Sequence, residues 1–304
     1  MMSAHQLAWH AMSFTIDVVR LSIWLILLAA IFVPLERLFA LHPAKILRKQ
    51  IGVDLFWYFI NSLLPAAIIA VPLSILATAL HGSNPWGLYA AVALWPIWVK
   101  LPLMFVINDI GTYWAHRAAH TIPFLWRFHA VHHSAEHIDW LVNTRLHPID
   151  SVFTRLVGLT PLYLLGLAQT TNGAVMDPYV ALVFIVGIIW SFFIHANIRV
   201  RLGPLEWLIS SPAFHHWHHT NDEHRDHNFA AIFPWIDKLF GTAWLPKHWP
   251  PVYGTDTKVA PTIIGQLLTS EHSVKGRNDL PPTSATTTTP AKTEPSPNDQ
   301  LSAS

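Results

Sequence analysis

Long apolar runs alternate with short polar interruptions along the first two thirds of the chain, at about Val18–Val33, Leu55–Leu80, Trp86–Ile107, Val152–Leu167 and Tyr179–Ile194. The second and third reach the ~20 residues that a helix needs to cross a bilayer. The first is cut short by Glu36 and Arg37, yet Trp24 and the flanking charges suit a helix anchored at both interfaces. The last two flank the turn formers Gln169 to Pro178 and predict a helical hairpin over about 152–194. Sixteen residues make roughly 24 Å of helix, so this pair crosses tilted or only dips in. The pattern predicts an all-α fold, an integral membrane helical bundle. Its parts are N-terminal transmembrane helices over 1–108, a chemistry-bearing region over 109–245, an extension over 246–274 and a Pro/Thr/Ser-rich tail over 275–304. That tail has almost no large apolar residues and reads as disordered.

Composition supports a membrane class. The 304 residues are 52% hydrophobic and 12% charged, mean hydropathy is +0.35, and the fifteen Trp suit headgroup belts. A net charge of +1 argues against nucleic acid or another polyanion as partner. Arg37, Lys45, Arg48 and Lys49 fill the first connection, which places it in the cytoplasm and brings 116–147 and everything after His195 to the same side. The Met-Met-Ser-Ala-His start has no cleavage pattern, so the first apolar run reads as retained. Without cysteine, a metal site must be built from His, Asp, Glu or backbone groups.

Histidine is the anomaly: twenty are present, fourteen of them between His116 and His227. His116 and His120 stand four apart, on one face of a helix that continues the third run. His129, His132 and His133 follow Pro123 with i, i+3, i+4 spacing, and His215, His218 and His219 repeat that spacing. His195 closes the hairpin. Nine imidazoles exceed the four to six ligands of one first-row metal and suit two, though imidazole alone does not name the metal. Ionisable groups beside membrane helices are costly to leave unpaired, which sets these clusters apart from packing. His5, His10, His42, His81, His248 and His272 read as surface or interfacial residues, while His137, His147, His216, His224 and His227 stay open between ligation and support.

The stretches Asp109…Tyr113-Trp-x-His116-Arg-x-x-His120, Leu125-Trp-x-x-His129-x-x-His132-His133-Ser, Ser211-Pro212…His215-x-x-His218-His219, Asn228-Phe and Phe240-Gly-Thr resemble the fatty acid hydroxylase/sterol desaturase superfamily over roughly 105–245. The resemblance implies a membrane-bound di-iron oxygenase. It implies two iron ions (Fe2+/Fe3+) on His116, His120, His129, His132, His133, His215, His218 and His219, with His195 as a further ligand and Arg199 where some members have another histidine. It implies O2 as co-substrate, a lipid substrate, electrons from a donor protein or reductase, and a location in a bacterial inner membrane or its equivalent with the metals facing the cytoplasm. Asp109, at i+7 before His116, and Asp226 are candidates for orienting the imidazoles. Hydroxylation, desaturation, ether-lipid cleavage and carotenoid hydroxylation all remain open. A metal-binding or metal-transporting membrane protein is the rival class, although transporters place ligands near the bilayer midplane. A zinc protease lacks its HExxH here.

Overall fold

Helix α1 spans Ala4–Leu38 and α2 spans Ile51–Ser83. In this computed structural model, which describes residues 4–83, 87–168 and 177–268, they are followed by α3 (Leu88–Ala93), α4 (Ile97–Thr121), α5 (Pro123–His133), α6 (Pro148–Leu164) and α7 (Pro178–His195). Three short helices, α8 (Pro212–His218), α9 (Pro234–Leu239) and α10 (Ile263–Leu268), complete the order. The described residues contain isolated bridges, such as Ala40 to Ile198, but no strand, so the all-α expectation holds. Two of the described helical stretches are long and apolar enough to cross a bilayer, Trp9–Leu38 and Pro178–His195. The tail from 269 and the turn residues 169–176 lie outside the described residues.

The expected span over Trp86–Ile107 is corrected: it is two helices. Pro96, which has no N–H and restricts Trp95 before it, N-caps α4 and separates it from α3. The unbroken helix therefore begins at Ile97 and carries on to Thr121, past the apolar run and through both His116 and His120.

Two apolar clusters fix the helices that bear the histidines. Met104, Leu159, Leu162, Val180 and Val183 lock α4, α6 and α7 together, while Leu28, Phe32, Tyr58, Trp140 and Phe192 join α1 and α2 to α7. α4 and α6 cross where glycine meets glycine. A Cβ on Gly111 would stand 2.7 Å from the Val157 carbonyl oxygen and 2.8 Å from the Gly158 Cα, so no larger residue fits this approach. The close crossing brings the N-terminus of α6 beside α5.

A buried polar network ties the first connection to the site. Asp54 pairs with Arg48 at 2.7 Å and with Arg145 at 2.5 Å, and Arg48 also pairs with Asp139. Arg48 is thus bound up in the interior rather than free in the connection, which leaves Arg37, Lys45 and Lys49 as the exposed charges there.

Candidate metal centre

Four chain segments deliver imidazoles to one place. α4 supplies His116 and His120 two turns into its polar extension, and α5, started by Pro123 at its first position, supplies His129, His132 and His133. α7 ends on His195. α8 begins at Pro212 with Ser211 as N-cap, whose Oγ accepts the Phe214 N–H at 3.2 Å, and carries His215 and His218, with His219 as its C-cap.

The eight histidines singled out by their spacing, and His195 at the end of the hairpin, come together in two groups. His116, His120, His129, His133 and His218 form one, and His132, His195, His215 and His219 form the other; within each, the ligating nitrogens lie within 4.8 Å of one another. The groups adjoin, since the rings of His133 and His219 stack at 4.6 Å. Arg199 lies apart, donating to the Leu41 carbonyl.

The hydrogen bonds on the far side of each ring decide what these groups can hold. The Nδ1–H of His116 donates to the Phe229 carbonyl at 2.8 Å, that of His218 to the His227 carbonyl at 2.9 Å, that of His132 to the Arg145 carbonyl at 3.2 Å and that of His195 to the Ser191 carbonyl at 2.7 Å. His120 and His129 direct Nδ1 at the carboxylates of Asp226 and Asp150, at 3.2 and 2.9 Å. A ring whose Nδ1 carries the proton presents a bare lone pair at Nε2. Yet the Nε2 atoms of His116 and His129 stand 3.1 Å apart, and those of His132 and His195 stand 3.2 Å apart. Two lone pairs at that separation repel unless a cation lies between them. A metal with bonds of about 2.1 Å sets right-angled neighbouring ligand atoms about 3.0 Å apart, which fits these spacings. Burial, reinforced by neighbouring imidazoles, pushes His132, His133, His215, His218 and His219 well below the usual histidine range, so they stay neutral as ligands must. The donor set therefore fits two metal ions.

Of the two carboxylates proposed to orient imidazoles, Asp226 reaches His120. Asp109 is corrected. Seven residues along a helix is about 10.5 Å, too far to touch His116. Instead Asp109, fully buried, accepts the backbone N–H groups of Ala231, Ile232 and Phe233 at 2.8–3.2 Å. Asp237 likewise takes Phe229 and Ala230 at 2.7 and 2.8 Å, and Thr242 closes this loop by donating to Asp237. Both acids hold the strand-like segment whose Phe229 carbonyl orients His116. Asn228 adopts a positive φ of 60° there and is fixed by Phe214 and Trp244, which gives the Asn228-Phe and Phe240-Gly-Thr motifs a structural purpose.

Asp150, buried on the first turn of α6, was missed by sequence reasoning. Of the five histidines left open, His137 is exposed and four support rather than join the groups. His147 N-caps α6, accepting the Ile149 N–H; His216 bridges the Tyr253 hydroxyl and the Ala196 carbonyl; His224 stacks on Trp244 at 4.2 Å; His227 lends its carbonyl to His218. Asp150→Asn keeps the shape but removes the charge that makes His129 a stronger donor. Metal affinity of the five-histidine group is expected to fall about 10–100-fold, read by competition with a chelator on purified protein. Unchanged affinity would leave Asp150 a packing residue.

The family model described as fatty acid hydroxylase matches residues 101–242. The ornithine lipid hydroxylase OlsE of Rhizobium tropici is 35% identical over 61% of this chain and 54% of its own length. Alkylglycerol monooxygenase of Homo sapiens is 30% identical over 52% of this chain and 31% of its own. A protein described as putative Delta(7)-sterol-C5(6)-desaturase 2 of Arabidopsis thaliana is 27% identical over 48% of each. The chain thus spans about a third to about half of these relatives. No solved structure matches.

Proposed function

We propose, from the premise that this chain belongs to the fatty acid hydroxylase superfamily through residues 101–242, that it is a membrane-bound, O2-dependent oxidoreductase acting on a lipid. The observation that carries this reading is the pairing of bare Nε2 atoms about 3 Å apart in two adjoining, buried histidine groups. His116, His120, His129, His133 and His218 would hold one iron ion, and His132, His195, His215 and His219 the other. Two irons, when bound, supply the O2 chemistry needed to attack an unactivated C–H bond. The chain's own part is positional. Carbonyls and the two carboxylates lock six of the nine rings, those of His116, His120, His129, His132, His195 and His218, so that Nε2 faces inward, and burial keeps water and protons from competing for it.

The region 109–245 acts as the catalytic unit in this reading, and the apolar helices α1 and α7 hold it at a bilayer surface. The exposed Arg37, Lys45 and Lys49 support a cytoplasmic face for the site, reachable by a soluble electron donor or reductase. The resemblance to lipid hydroxylases supports the substrate class, with hydroxylation, desaturation and ether cleavage told apart by product.

The test compares lipid extracts by mass spectrometry from cells expressing the wild-type chain and His132→Ala. A lipid gaining 16 or losing 2 mass units with the wild type, and unchanged with the variant, is expected. Bound metal without any change in lipid composition would favour a metal-binding or transport role, and a product that persists in the variant would remove His132 from the chemistry.

A further inference from the structure

A cleft of about 740 Å³ lies between α1, the start of α2 and the turn at Trp140, within the range of sites that hold a lipid-sized ligand. One wall is a single face of α1, with Leu25, Ile26, Ala29 and Val33 at i, i+1, i+4 and i+8; Ile51 and Leu55 of α2 face it. At the end where α1 finishes, the lining turns polar with Glu36, Arg37, Lys45 and Asp139.

The two acids at that end are already engaged. Glu36 accepts the backbone N–H groups of Trp140 and Asn197, each at 2.8 Å, and Asp139 pairs with Arg48. The cations are not. Arg37 gives one N–H to the Ala44 carbonyl at 2.8 Å, leaving other donors of its fork, and Lys45 has no acceptor among the described residues. Arg37 also stands one residue before the end of the apolar stretch Trp9–Leu38, at the depth of lipid headgroups.

We propose that this cleft binds an anionic phospholipid of the surrounding bilayer, one chain lying along α1 and the phosphate held by Arg37 and Lys45. The apolar shaft matches the chain, and an Arg fork beside an ammonium matches phosphate oxygens. Bulk lipid would wet all of α1 equally, including its outward residues Ile23, Leu27 and Ile31; charge at one end singles out the cleft. The proposal goes beyond the oxidoreductase reading and does not depend on it. Glu36 gives the site a link to the metal centre, since it grips Asn197, two residues after His195.

The test reconstitutes the full-length chain in phosphatidylcholine nanodiscs doped with phosphatidylglycerol or diacylglycerol bearing the same photoreactive acyl chain, and maps the cross-links by mass spectrometry. Phosphatidylglycerol is expected to label Leu25, Ile26, Ala29, Val33, Ile51 and Leu55 in preference to the outward Ile23, Leu27 and Ile31. Labelling should fall about tenfold in the Arg37→Gln/Lys45→Gln double variant, from the loss of two charges near a phosphate, but not in Lys49→Gln. Ala29→Phe, which fills the shaft, should abolish it with metal content unchanged. Equal labelling by the neutral lipid, uniform labelling around α1, or no loss in the double variant would each overturn the proposal. Metal content, read on the same samples, keeps such a failure separate from any failure of the proposed function.

Discussion

On the proposed function, replacing His133 by alanine is expected to lower bound iron from about two per chain to one or fewer and to cut lipid turnover more than 100-fold. The Nε2 of His133 lies 3.2 Å from that of His120, 3.2 Å from that of His129 and 3.1 Å from that of His218, the most connected position of its group. Loss of an outer partner alone costs about 10–100-fold in affinity or activity, and a ligand itself costs more. Alanine is also the better helix former, so α5 persists and the effect is not one of misfolding. Elemental analysis of detergent-purified protein, with circular dichroism for helix content, gives the answer. Two irons retained at full helix content would exclude His133 from the ligand set.

The second large effect is on stability. Asp54→Ala leaves the guanidinium of Arg145, 2% exposed, and that of Arg48, 9% exposed, without their shared carboxylate. Breaking a buried pair from one side costs about 3–5 kcal/mol, because the remaining charge stays in the interior. Thermal unfolding in detergent should show a marked drop, smaller for Asp54→Asn, whose amide oxygen still accepts. The Arg145 carbonyl takes the Nδ1–H of His132, so metal retention should fall alongside stability. An unfolding midpoint matching the wild type would mean that the network contributes nothing net.

The ligand groups were legible because helix periodicity encodes them: spacings of three and four put imidazoles on one face, and Pro123 and Pro212 mark where those helices start. What orients the rings was not. Asp150 stands 21 residues from His129, and only the glycine crossing of α4 on α6 brings them together, a contact no local pattern announces. Asp109 shows the converse error. Its face was right, but its range along the axis was wrong, and it turned out to hold backbone more than 120 residues away. The break at Pro96 was hidden because hydropathy counts apolar side chains and takes no account of the backbone, where Pro96 sits extended as N-cap and disfavours helical geometry at Trp95 before it. Arg48 counted as a topogenic charge while serving as an internal one.

The dispersal of one histidine group over α4, α5 and α8 has a consequence in time. During synthesis His116 emerges about 100 residues before His218, a delay of roughly 5–20 s at ordinary elongation rates. A nascent chain halted after α7 would expose lone pairs arranged for partners not yet made. If the groups hold metal as proposed, its capture would belong to the end of biogenesis, after α8 has been made, and a cell that loads this protein would have to keep its metal supply off the half-made chain.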